Sequence, residues 1–175
     1  MDQPGGFHHL PVLIDEVMEW LRPRRGGVYL DGTLGGGGYS EGILQAAGGE
    51  ATLWGLDRDE AAIAAACERL RVYPGFHAIR GNFHDAKALL SAAGAVPLTG
   101  TLLDLGVSSH QLDTADRGFS YHEDAPLDMR MDRSRGMTAA EYLATVSREE
   151  LRRVLTDYGE EKWAARIAQV LEERR

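Results

Sequence analysis

Two carboxylates and a glycine cluster define the chemistry open to this chain. Tyr29-Leu30-Asp31 ends a short apolar stretch in an acid and runs directly into Gly32-Thr33-Leu34-Gly35-Gly36-Gly37-Gly38. A second apolar stretch, Thr52-Leu53-Trp54-Gly55-Leu56, ends in Asp57. Glycines let a backbone pass close to a ligand, and an acid roughly 20 residues further on takes a pair of ribose hydroxyls. What the loop lacks narrows the ligand. A phosphate-gripping loop needs Lys and Ser or Thr directly after its last glycine, whereas Tyr39 and Ser40 follow Gly38. A dinucleotide turn wants a third glycine or alanine where Ser40 stands, which, with Asp31, disfavours a nicotinamide oxidoreductase. Asp31 would repel a pyrophosphate, yet it suits a cofactor carrying an ammonium and a sulfonium. That points to S-adenosylmethionine. The plain alternative is a glycine-rich turn with no ligand, and the two acids weigh against it.

Strands and helices in alternation must hold these residues. Leu13, Val17 and Leu21 fall at four-residue steps in a first amphipathic helix that Pro23 and Gly26-Gly27 close. Strands are predicted at 28–30, 53–56, 76–79 and 98–103, with helices after Gly38 to Ala47, after an Asp59 cap, and over 83–92. Such alternation predicts a parallel sheet with ligands at the carboxyl ends of its strands, where Asp31, Asp57, Asn82 and Asp104 all stand. The pattern then changes. Residues 107–136 are charge-dense and strand-poor, and 137–175 reads as wholly helical, with Ser147 to Glu150 as a capping box and Trp163, Ile167, Val170 and Leu171 on a last amphipathic helix. The predicted fold is therefore α/β: an incomplete Rossmann-like sheet of about four parallel strands (1–106), a loop region (107–136) and a helical segment (137–175). The fourth strand is left as a bare edge, and a homodimer covering that edge is one way to relieve it.

At 175 residues the chain is one domain's worth of sequence, with 43% hydrophobic and 26% charged residues, as in ordinary globular proteins. No run approaches the roughly 18 apolar residues of a membrane span, and the default address is cytoplasmic. A net charge of −8 argues against coating nucleic acid by bulk electrostatics but leaves local basic contacts open. The single cysteine, Cys67, rules out an internal disulfide and reads as a small core residue in an alanine-rich helix. The six histidines, His8 and His9 among them, show no metal-ligand spacing.

Longer motifs then match a known family. His9-Leu10-Pro11-Val12-Leu13, Asp31 to Gly38, Leu56-Asp57-Arg58-Asp59, Leu102 to Asp113, Arg117-Gly118-Phe119-Ser120, Pro126 to Asp132, Tyr158-Gly159-Glu160-Glu161 and Arg166-Ile167-Ala168 are spread along nearly the whole chain. In these stretches it closely resembles the bacterial ribosomal RNA small-subunit methyltransferase H (MraW) family. The resemblance implies S-adenosylmethionine-dependent methylation of a cytidine N4 in small-subunit (16S) ribosomal RNA, presented as free RNA or as the assembled 30S subunit. It implies cofactor contacts at Gly37, Gly38, Tyr39, Asp57, Phe83, Asp104 and Gln111, and a helical insertion interrupting the sheet. The chain would then stop inside that insertion. A truncated, non-catalytic cofactor- or RNA-binding remnant of the family is the alternative. Tyr39 departs from the His of many relatives, which spares a backbone contact but not an imidazole role.

For the reaction itself, cytosine N4 is a poor nucleophile because its lone pair is delocalised into the ring. An acceptor near its amino protons would help, and Asp104 is the candidate. Asp104 leads into Leu105-Gly106-Val107-Ser108-Ser109, so the proline geometry of other amino-methyltransferases is missing. Methylation at carbon 5 would need an attacking cysteine near strand four, and Cys67 is far from it in the pattern. Ser108 and Ser109 lack a nucleophile elbow. Arg117, Arg130, Arg133 and Arg135 can grip RNA phosphates or pair with the acids interspersed among them; both readings stand.

Overall fold

A computed structural model describes residues 11–175, with every side chain there except that of Ser109. His8 and His9 lie outside the described residues. The chain divides into two compact units, one ending at His110 and one running from Gln111 to Arg175.

The first unit is built on β1 (Val28–Asp31), β2 (Thr52–Asp57), β3 (Phe76–Arg80) and β4 (Gly100–Leu102), all parallel in the order β3-β2-β1-β4. This is the order of the first strands of a doubly wound Rossmann sheet, as expected from the alternation. Side chains alternate across it with the period of two that strands impose. Tyr29 and Leu53 pack on one face with Ile43, Leu44 and Leu70, while Leu30 and Leu56 pack on the other with Leu90 and Ala95. The helices covering these faces are α1 (Ile14–Leu21), α2 (Gly38–Ala46), α3 (Glu60–Leu70) and α4 (Ala86–Ala92).

Several boundaries differ from expectation. β4 covers only the middle of the expected strand. The expected helix over 83–92 opens as a 3-10 turn, Phe83–Asp85, before α4. Asn82 caps that turn by accepting from His84 N–H at 3.1 Å. In α1 no residue is fully buried: Leu21 packs on the core as read, joined by Met18, and Ile14 lies against Gly42, while Leu13 is exposed at the N-cap. Cys67 is exposed, contrary to the core reading. Ala62, Ala66 and Leu70 form the buried stripe of α3, and position 67 falls outside it.

The second unit holds α6 (Ala139–Thr145), α7 (Arg148–Asp157) and α8 (Ala164–Glu173) around Val146, Leu151 and Ala168. The short α5 (Ser109–Asp113) spans the division in sequence. Only half of the expected capping box forms at Ser147. Its hydroxyl accepts from Glu150 N–H at 3.2 Å, but the Glu150 carboxylate is taken by Arg153 at 2.7 and 2.8 Å. The complete box stands at Thr138 and Glu141, which exchange bonds of 3.1 and 2.8 Å. Trp163 is the N-cap of α8 and 73% exposed, so it does not belong to that helix's buried face.

Candidate functional site

The carboxyl ends of β1 and β2 and the segment beyond β4 bring three acids to one turn. Asp31 ends β1 and Asp57 ends β2, adjacent parallel strands whose register sets Asp31 opposite Gly55, two residues before Asp57. Between them runs the glycine loop, fastened at several points. Leu34 N–H donates to Leu56 O at 2.9 Å, and Leu34 packs against Gly55, where even a Cβ would come within 2.6 Å of the leucine. The loop can lie this close to β2 only because residue 55 has no side chain. Gly37 then turns the chain into α2 as a left-handed N-cap with φ 79°, its Cα facing Ala66 and Leu70 of α3. A Cβ there would be both strained and crowded.

Each acid has a distinct environment. Asp57 accepts Gly35 N–H at 2.8 Å on one oxygen and Asp59 N–H at 2.9 Å on the other. It thus holds the loop while each oxygen keeps a further lone pair. Asp31 is wholly buried. It accepts Ser40 Oγ–H at 2.8 Å and Thr33 N–H at 3.1 Å. Burial pushes its carboxyl up to about 6; the two hydrogen bonds oppose that rise, and the charges of Asp57 and Asp104 add to it. Asp104 is exposed just past β4, with its N–H on Thr33 Oγ1 at 2.7 Å. Among the described residues no group donates to its carboxylate.

The remaining expected site residues fall as follows. Gly37 and Gly38 open α2, and Tyr39 is on its first turn with its hydroxyl donating to Val12 O. Partial burial and then the charges of Asp104 and Asp31 raise the Tyr39 phenol above its ordinary value, so the ring stays neutral. Phe83 is 41% exposed, with its Cβ against Gly32 at the start of the loop. Gln111 is buried and belongs to the second unit. Thr33 and Ser40, which bind two of the acids, were not among the expected site residues. Their only signal in sequence is a short hydroxyl residue inside and just after a glycine turn.

In the second unit the arginines left open by the sequence are held by the loop itself. Asp128, buried, takes Arg130 at 2.7 and 3.1 Å and Arg133 at 3.3 Å, and these bonds hold its carboxyl down to about 2. Arg135 binds Asp132 at 2.9 Å, and buried Arg117 donates to Arg130 O and Met131 O. Arg117 and Arg130 are therefore engaged in structure, whereas Arg133 and Arg135 are paired yet 55% and 70% exposed and leave both readings open. No described helix is long and apolar enough to cross a membrane, and no three described His, Cys, Asp or Glu residues gather as a metal site.

Sequence comparison matches residues 6–175 to the model of the MraW methylase family. The ribosomal RNA small subunit methyltransferase H of Trichlorobacter lovleyi is 58% identical over 163 residues, which are 93% of this chain and 52% of that protein. Its counterpart in Geotalea uraniireducens is 51% identical over 170 residues, 97% of this chain and 54% of that protein. The chain spans about half the length of the curated relatives it matches. Among solved structures there is a slight likeness to NSun6 from Pyrococcus horikoshii, with TM-score 0.46 and 17% identity over 88% of this chain and 33% of that one.

Proposed function

This chain belongs to the MraW methylase family, and from that premise we propose that it carries the cofactor-binding part of an S-adenosylmethionine-dependent methyltransferase acting on a cytidine N4 in small-subunit ribosomal RNA. The observation that carries the reading is the meeting of Asp31, Asp57 and Asp104 around one glycine loop at the carboxyl end of the sheet. The substrate class rests on the names of the relatives, and the N4 position on the family resemblance.

The donor set fits the cofactor. Asp57 has lone pairs left for two ribose hydroxyls, charge-assisted bonds of about 1.5–3 kcal/mol each. Phe83 offers a ring face to adenine. Gly37, Gly38 and Tyr39 offer backbone at a helix start, and Gln111 a side-chain amide. Asp31 and Asp104 supply negative charge for an ammonium and a sulfonium. When bound, adenosylmethionine supplies an electrophilic methyl group. The chain's own contribution is to align and to hold charge. The Asp104 carboxylate, accepting from the amino protons of the base, would localise the N4 lone pair and take up the positive charge that builds there. In this reading residues 107–136 face the RNA, residues 137–175 begin the helical insertion, and the protein works in the cytoplasm on RNA or the 30S subunit.

Calorimetric titration of the 175-residue chain with adenosylmethionine tests the reading. Saturable binding is expected, weakened at least tenfold in Asp57→Asn, a change that keeps an acceptor for the loop but removes the charge. A folded chain that binds nothing would refute it. Transfer of a labelled methyl to small-subunit RNA by the full-length protein, followed by nucleoside analysis, tests the N4 assignment; label on any other position refutes that part alone.

A further inference from the structure

We infer that Thr33 is a positioning residue that ties exposed Asp104 to buried Asp31, so that the two acids hold one fixed pattern of negative charge for the cofactor's cationic end; this rests on the cofactor reading above. Two hydrogen bonds carry the inference. Thr33 N–H donates to Asp31 Oδ1 at 3.1 Å, and Thr33 Oγ1 accepts Asp104 N–H at 2.7 Å. One residue thus touches two acids that stand 73 positions apart in the chain (31 and 104) and approach from different strands.

The two acids need this help unequally. Asp31 is locked by burial and by Ser40 whatever Thr33 does. Asp104 is exposed, beyond the last residue of β4, and residues 103–107 after the strand are exposed and irregular. The sheet's last bond on that side is Gly32 N–H to Leu102 O at 2.9 Å. Past it, the Thr33 hydroxyl is the bond that fixes where the backbone of Asp104 sits. A carboxylate on an irregular segment explores many positions, and cation recognition by a free carboxylate pays for that ordering unless the backbone is already pinned. The hydroxyl proton of Thr33 has no acceptor among the described residues, so the group can accept from Asp104 without giving up another partner. Asp57 lies outside this pair: its oxygens answer to Gly35 and Asp59. Loss of the Thr33 hydroxyl should therefore spare recognition of the adenosine half and weaken recognition of the charged half.

The test compares two ligands in the 175-residue chain: adenosylmethionine, and 5′-methylthioadenosine, which has the adenosine and neither the sulfonium nor the ammonium. Thr33→Val, which keeps shape and removes the acceptor, should weaken adenosylmethionine about tenfold, the effect of one positioning hydrogen bond. Its affinity for methylthioadenosine should remain within twofold of the unaltered chain. Thr33→Ser should restore adenosylmethionine binding. Equal weakening of both ligands would mean that Thr33 merely supports the loop, and unchanged binding of both would mean that the bond positions nothing; either result overturns the inference while leaving the cofactor reading intact. If the unaltered chain binds neither ligand, both fall together. Thermal melting of each variant separates lost folding from lost recognition.

Discussion

Asp31 carries the most consequential conflict in the molecule. Its carboxyl is wholly buried and pushed up to about 6 from 3.8. The folded chain therefore keeps this proton up to about pH 6, while the unfolded chain releases it near 3.8. Between those values the folded state binds more protons, so stability falls as pH rises, and above about 6 the whole penalty is in place. A rise of that size corresponds to at most about 3 kcal/mol. Asn fits the same bonds, accepting from Thr33 and donating to Ser40. Asp31→Asn should thus melt at a higher temperature than the unaltered chain at pH 8 and gain little at pH 4, while losing at least tenfold in adenosylmethionine affinity. Scanning fluorimetry across that range checks the first part; a gain independent of pH would show that the penalty is not one of ionisation. A residue whose removal stabilises the fold and weakens binding is placed for its ligand, since a cation beside Asp31 lowers the cost that burial imposes.

At the scale of elements, legibility followed how local the cause was. The strand–glycine–helix–strand grammar was readable because Asp31, the glycine run and Asp57 are set by sequence-near rules of turn and period, and the sheet order follows from them. Asp59 was readable as a cap-forming type, whereas Asn82 was read only as a polar residue at a strand end. What was not readable depends on partners far along the chain or on competition nearby. Thr33 reaches Asp104 only once β4 lies beside β1. Glu150 was predicted to close a capping box, but Arg153 on the next turn is a stronger partner for its carboxylate than a backbone N–H. In α3, five alanines blur the amphipathic contrast that would have set Cys67 outside the core. The same logic separates two mutations. Thr138→Ala breaks a reciprocal box and should cost about 1 kcal/mol, whereas Ser147→Ala loses one bond and should cost less; urea melts that rank them the other way would contradict the cap assignment. In the arginine-rich loop, Asp128 contributes stability above about pH 3.8, and that contribution is lost as pH falls through about 2, because its folded value is depressed. Asp128→Asn should free Arg130 and Arg133 and speed trypsin cleavage after them at neutral pH. Unchanged cleavage would mean that the loop is held by Arg117 and the backbone alone.

For the molecule as a whole, the two units have separate cores. One surrounds the sheet, with Tyr29, Leu53 and Ile43 on one face and Leu30, Leu56 and Leu90 on the other; the second surrounds Val146, Leu151 and Ala168. Asp31, Asp57, Phe83 and Asp104 all lie in the first unit, and the paired arginines of the loop lie in the second. A ligand that binds only the folded form stabilises it by about 2.7 kcal/mol at a hundred times its dissociation constant. Adenosylmethionine should deliver that gain to the unit holding its contacts. Calorimetry of the 175-residue chain should then show two thermal transitions, with the one assigned to the sheet moving upward in cofactor and the other nearly still. Assignment is direct, because Thr138→Ala should lower only the second transition and Gly37→Ala, strained at φ 79° and crowded by Ala66 and Leu70, only the first. A single transition shifting as one body would instead make the helices part of the cofactor-binding fold, and the boundary at residue 110 would then have no energetic meaning.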